Sequence, residues 1–228
     1  MPVNTNQYHS IISQLNPQKV QLIAVSKTKP NEDIIELYDL GQRAFGENYV
    51  QELVDKAASL PKDIQWHFIG HLQSNKVKYI APFVHLIHGV DSEKLLQEIN
   101  KQAIKQNRII DCLLQVHIAT EETKFGFDAN SIDEFIQSGR LAQYPNIQIK
   151  GLMGMASFSE DTNLLTKEFT TLKQIFDQAA IQLGNQFTIL SMGMSGDYPL
   201  AISLGSNMVR IGSLLFGARN YWSSKSNS

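Results

Sequence analysis

Lys27 stands just past the apolar run Val20-Gln-Leu-Ile-Ala-Val25, between Ser26 and Thr28-Lys29-Pro30. An amine at the end of a buried strand loses hydration, which lowers an ammonium pKa and makes a nucleophile for a carbonyl carbon, the start of a Schiff base. From position alone, a solvated loop lysine is the plainer alternative. The next group is Gly46-Glu-Asn48-Tyr49, where a glycine admits close approach by a ligand and Asn48 and Tyr49 offer neutral hydrogen-bonding groups. Late in the chain come Ser191-Met-Gly-Met-Ser195-Gly196 and Arg210-Ile-Gly212-Ser213. Two small, hydroxyl-bearing turns of this kind form a backbone cup for an anion, and Asp197 is placed to cap the helix that follows. His67 and His71 straddle a strand end, and His85 and His88 have an odd spacing that sends them to opposite faces of a strand. No H-E-x-x-H helix or third ligand accompanies them, so no metal is predicted. A lysine nucleophile plus an anion cup suits a phosphorylated carbonyl compound. Pyridoxal phosphate leads, and an aldolase-type sugar phosphate is not distinguished by spacing.

The elements that must position these residues alternate along the chain. Strands are predicted at Val20–Val25, Arg43–Gly46, Ile64–Ile69, Val84–Val90, Asp111–Ile118, Ile147–Met153, Phe187–Ser191 and Met208–Ile211. Helices fall between them, including one opened by Asp91-Ser92, one over Ser74–Ile80, and a long one with Leu165, Phe169, Leu172, Phe176, Ala179 and Leu183 on one face. Continuous apolar strands are buried on both sides, as in parallel sheets, and the alternation predicts an α/β fold closed into a single (β/α)8 TIM barrel. An open doubly wound sheet is the alternative. In a barrel, Lys27, Asn48 and the two turns all lie at the C-terminal ends of strands, where barrel chemistry gathers.

Composition narrows the classes. The 228 residues carry 20 basic and 22 acidic side chains, a net charge of −2, which argues against nucleic acid and anionic membrane as partners. No run is long and apolar enough to span a bilayer, and Met1–Gln7 has no signal-peptide pattern. The single Cys112 excludes an intramolecular disulfide and suits a reducing cytoplasm. One domain is expected over residues 1–222, with a flexible tail at 223–228.

The blocks Ala24-Val-Ser-Lys-Thr-Lys-Pro30, Gly46-Glu-Asn-Tyr-Val-Gln-Glu52, His67-Phe-Ile-Gly-His-Leu-Gln-Ser-Asn-Lys76, Gly151-Leu-Met153, Ser191-Met-Gly-Met-Ser195 and Val209-Arg-Ile-Gly212…Phe216-Gly217 occur in this order. They resemble the pyridoxal phosphate homeostasis protein family, which is related to the N-terminal barrel of alanine racemase. The resemblance implies a fold-type III barrel with pyridoxal 5′-phosphate held as an internal aldimine on Lys27. It implies Asn48 near the cofactor, the phosphate against Ser191, Ser195, Gly212 and Ser213, and Arg210 at the pyridine nitrogen. A cation there disfavours ring protonation and weakens the ring as an electron sink. After Gly151-Leu-Met153 many relatives continue differently from the Gly154-Met-Ala-Ser-Phe158 found here, and Lys124 stands in a loop where it assists cofactor transfer or is simply solvated.

A racemase needs a second acid/base group facing the lysine. In the racemases a tyrosine from a separate domain supplies it, whereas here only Trp222–Ser228 follows Tyr221, with Tyr49 and Tyr198 the remaining candidates to reach the mouth. The expectation is a cytoplasmic, monomeric, non-catalytic protein that buffers pyridoxal phosphate or hands it to apo-enzymes. A weak amino-acid racemase or other pyridoxal phosphate enzyme is the alternative, and a Schiff-base aldolase a third.

Overall fold

The computed structural model describes residues 3–121 and 125–217. Eight strands form a closed barrel in chain order. They are β1 (Gln21–Val25), β2 (Ala44–Glu47), β3 (Gln65–Phe68), β4 (Leu86–Val90), β5 (Ile110–Val116), β6 (Ile147–Gly154), β7 (Ile189–Ser191) and β8 (Met208–Ile211). Every neighbouring pair is parallel, and β8 returns to β1 with Leu22 opposite Val209 and Ala24 opposite Ile211. The helices α1 (Thr5–Leu15), α2 (Asn31–Asp39), α3 (Val50–Ser59), α4 (Val77–Ile80), α5 (Glu93–Lys105), α6 (Ala129–Gln137), α7 (Thr162–Leu183), α8 (Tyr198–Ser203) and α9 (Ser213–Phe216) supply the outer layer. The closed barrel is the predicted architecture; the open sheet is excluded by the β8–β1 pairing.

Two apolar layers follow from the two-residue period of the strands. Ile23, Ala44, Leu86, Leu113, Met153 and Met208 pack inside the barrel. The alternate residues, such as Phe45, Phe68, Ile87 and Leu114, point outward into the larger cluster shared with the helices. The α7 stripe buries Leu165, Phe169, Leu172 and Ala179, each large side chain worth roughly 1.5–3 kcal/mol when withdrawn from water. Ile175 takes the fully packed position beside them, while Phe176 stacks on Phe187 with ring centroids 5.0 Å apart. Where β6 meets β7, a Cβ on Gly151 would lie 1.7 Å from the Ile189 carbonyl oxygen, so only glycine permits that approach.

The differences from expectation are local. The Ser74–Ile80 segment is a 3-10 turn, Ser74–Lys76, leading into the single turn of α4. The α5 cap is Ser92, whose hydroxyl accepts from the Leu95 N–H at 3.4 Å, leaving Asp91 free of that role. Among the described residues no helix is long and apolar enough to cross a membrane. Lys124, Tyr221, and the tail expected at 223–228 lie outside the described residues.

Candidate functional site

Lys27 follows β1, two residues beyond Val25 and four beyond the interior Ile23. The strand ends in a four-residue turn, with the Lys29 N–H donating to the Ser26 carbonyl at 3.0 Å. Lys27 occupies the second position of that turn and is half-buried. On the neighbouring strand Val25 is opposite Gly46, and Asn48 directly follows the end of β2, as the Lys27 turn follows the end of β1. Gly70, after β3, lies so close to the Asn48 backbone that a Cβ would sit 2.4 Å from its carbonyl oxygen. That packing fixes Asn48, whose Oδ1 is buried without a partner, an acceptor ready for a ligand donor.

The two late loops meet as a pair. The Gly212 N–H donates to Ser195 Oγ at 3.3 Å, tying the loop after β7 to the loop after β8. The first loop turns at Gly193, with φ +97°, and is pinned by the Met194 N–H on Asp197 Oδ1 at 2.6 Å. Asp197 therefore closes its own turn; its side chain does not cap α8 as expected. A Cβ on Gly212 would be 3.2 Å from both the Cβ and the carbonyl oxygen of Val25, which puts the loop pair against the strand end that carries Lys27. Ser213 is exposed at the start of α9.

Ser191 and Arg210 sit deeper. Arg210 is 4% exposed and donates through Nη1 to the Ser191 carbonyl and hydroxyl, at 2.9 and 2.6 Å, and through Nη2 to the Gly154 carbonyl at 3.0 Å. Burial lowers its pKa to about 10, which leaves it a cation at neutral pH. Ser191, expected at the phosphate, is thus engaged with Arg210, whereas Ser195 and Gly212 face each other across the two loops. The Gly154–Phe158 segment contributes, at Gly154, the carbonyl that accepts from Arg210.

Behind Arg210 runs a polar chain that sequence reasoning missed. Ser191 Oγ is 3.4 Å from His88 Nδ1, and His88 Nε2 is 2.9 Å from His67 Nδ1. The chain can run either way, Ser191 donating to His88 and His88 to His67 or the reverse, and in both cases the His67 Nε2 is buried and unpartnered. Burial, reinforced by His85, lowers the His67 pKa to about 3, and burial together with His67 and Arg210 holds His88 well below its ordinary value. Both rings are neutral. His67 pairs with His88 across two strands, whereas within the chain only His67/His71 and His85/His88 draw the eye; parallel register alone, His67 opposite Leu86, reveals the contact. His71 instead bonds Asp91 Oδ2 through Nδ1 at 3.0 Å and stacks on Phe125. Tyr198, expected near the mouth, is buried with its hydroxyl donating to Gln14 Oε1 of α1 at 3.0 Å. Among the described residues no group of three or more His, Cys, Asp or Glu is arranged for a metal.

The family described as alanine racemase, N-terminal domain, matches residues 5–220. A pyridoxal phosphate homeostasis protein of Aquifex aeolicus is 40% identical over 202 residues, covering 88% of each chain. The PipY protein of Synechococcus elongatus, solved with PLP bound, superposes with a TM-score of 0.83 at 36% identity, covering 93% of this chain and 99% of that one. Alanine racemase of Bartonella henselae shares the fold, with a TM-score of 0.70 at 18% identity over 91% of this chain and 56% of its own.

Proposed function

The chain belongs to the alanine racemase N-terminal domain family, in its pyridoxal phosphate homeostasis branch, and on that premise we propose that it binds pyridoxal 5′-phosphate on Lys27 and buffers or delivers it without catalytic turnover. The observation that carries this reading is the contact of Gly212 with Val25, which brings the Ser195–Gly212 loop pair to the strand end bearing Lys27. When bound, the cofactor supplies an aldehyde for the amine, a phosphate for the loops and a ring nitrogen for a cation. Lys27 would be the covalent anchor, and Ser195, Gly212 and Ser213 would hold the phosphate, with Ser191 keeping Arg210 available to the ring nitrogen. Asn48, with its unpartnered buried oxygen, could accept from a hydroxyl of the ring.

Turnover at an α-carbon requires a proton carrier on the face opposite the lysine. Tyr198 is committed to Gln14, and the His67–His88 pair is buried behind Arg210. A charged Arg210 near the ring nitrogen would also weaken the electron sink that such chemistry needs. The observation favouring the alternative, a racemase or other pyridoxal phosphate enzyme, is His71, held by Asp91 beyond the end of β3. We take the setting to be a reducing cytoplasm, consistent with the buried thiol of Cys112, the working form to be a monomer, and the recipients to be apo-enzymes that use the cofactor.

Purified protein incubated with pyridoxal phosphate and reduced with borohydride should carry the cofactor on the Lys27 peptide, and Lys27→Ala should carry none. A label elsewhere, or no uptake, overturns the binding assignment. Steady racemisation of single-enantiomer amino acids, lost in Lys27→Ala, would replace the carrier with the enzyme. Transfer of bound cofactor to an apo-enzyme is the result expected of a carrier.

A further inference from the structure

The turn that presents Lys27 is built against its own conformational preference. Ser26 to Lys29 close an i to i+3 hydrogen bond, and Thr28, at the third position, has φ +64°. A positive φ there belongs to turns that ordinarily place glycine or asparagine at that position. For a β-branched residue it is a strained state, which persists only where the surroundings impose it.

The surroundings are a buried ion cluster centred on Lys56 of α3. Lys56 is 5% exposed, and its Nζ donates to the Ser26 carbonyl at 2.8 Å, to Glu47 Oε1 at 2.8 Å and to Glu52 Oε1 at 2.7 Å. Glu52 Oε1 in turn accepts the Thr28 N–H at 2.6 Å, and Glu47 Oε1 accepts the Ser26 hydroxyl at 2.6 Å. The residues on both sides of Lys27 are therefore gripped by carboxylates that share one ammonium. Glu47 itself is fully buried and its Oε2 has no partner, so the cluster is not the cheapest way to fasten α3 to the barrel. Lys29 adds an anchor from the far side, its Nζ donating to the Phe216 carbonyl at 2.6 Å.

We infer that Glu47, Glu52 and Lys56 are positioning residues that hold the Ser26–Lys29 turn in its strained form and so keep the Lys27 amine set for capture of the cofactor carbonyl. This rests on the proposed role of Lys27. Glu52→Ala removes the acceptor of the Thr28 N–H from a partly exposed site and spares the buried Glu47–Lys56 pair, so the variant is expected to fold. In it, the turn relaxes toward conformations that Thr28 prefers, and the amine leaves its set position.

The test compares apo-protein of wild type, Glu52→Ala, and Glu52→Ala with Thr28→Gly. Covalent uptake of pyridoxal phosphate is followed by absorbance and by borohydride trapping on Lys27. Binding of pyridoxine phosphate, which has an alcohol in place of the aldehyde, reports the phosphate loops without Lys27. Glu52→Ala should take up pyridoxal phosphate about tenfold more slowly, the loss expected from a strain of this kind, with pyridoxine phosphate affinity unchanged. Adding Thr28→Gly should recover most of the rate, because glycine adopts positive φ without the clamp. Unchanged uptake in Glu52→Ala, equal losses for both ligands, or no recovery with glycine each overturn the clamp. Wild-type protein that fails to trap the cofactor on Lys27 overturns the parent assignment instead.

Discussion

His67 shows how a buried residue links the site to stability. Its folded pKa of about 3 lies below the ordinary 6.5, so the unfolded chain binds a proton that the native state refuses. The associated stability is whole above pH 6.5 and declines as pH falls toward 3, by about 1.4 kcal/mol per pH unit for one histidine. Urea unfolding between pH 7 and 4 should show this slope, and His67→Gln should flatten it by about that amount. An unchanged slope would mean that His67 is protonated in the native state. Read alone, the chain offers Lys27 and Arg210 as chemically distinctive, because their types and flanks are unusual. It is silent on the pairing of His67 with His88, which are 21 positions apart and meet only through the register of β3 with β4.

Element geometry decides how closely the strands approach and so where their ends point. Gly151 lets β6 close on β7, and β7 ends in Ser191, the residue that holds Arg210. Gly151→Ala forces a methyl into the Ile189 carbonyl, backbone that cannot swing aside. The expected loss is about 3 kcal/mol, at the upper end of overpacking penalties, read as a lower urea midpoint with an unchanged m-value. A loss below about 0.5 kcal/mol would mean that the strands separate freely at this point. Most elements were legible from apolar periodicity, and their observed ends differ by a few residues because strand termini are set by pairing partners. The Ser74–Ile80 segment was legible in its bounds, but not in its split into a 3-10 turn and a single α-turn, which is too short for periodicity to distinguish.

For the whole molecule, the barrel's closure couples ligand to fold. A cofactor bound as proposed would bridge Lys27, just past β1, and the loops after β7 and β8, and so would tie the last strands to the first. Held at a hundredfold over its Kd, such a ligand adds about 2.7 kcal/mol, which for a chain of this size is a rise in Tm of roughly 5–10 °C. Thermal melting of apo-protein with and without pyridoxal phosphate checks this, with inorganic phosphate at equal concentration as control. A shift equalled by phosphate alone would confine binding to the loops.

By itself the sequence determined the alternation of strands and helices, the lysine at a strand end and the paired glycine–serine turns, because local periodicity and residue type are properties of neighbours along the chain. Only the tertiary structure decided that the β8–β1 seam sets Gly212 against Val25, that Ser191 serves Arg210, that Tyr198 turns away to α1, and that Lys56 grips the turn around Lys27. Each of these is a contact between residues distant in sequence. Strand register and helix packing create such contacts, and neither is written in any one segment.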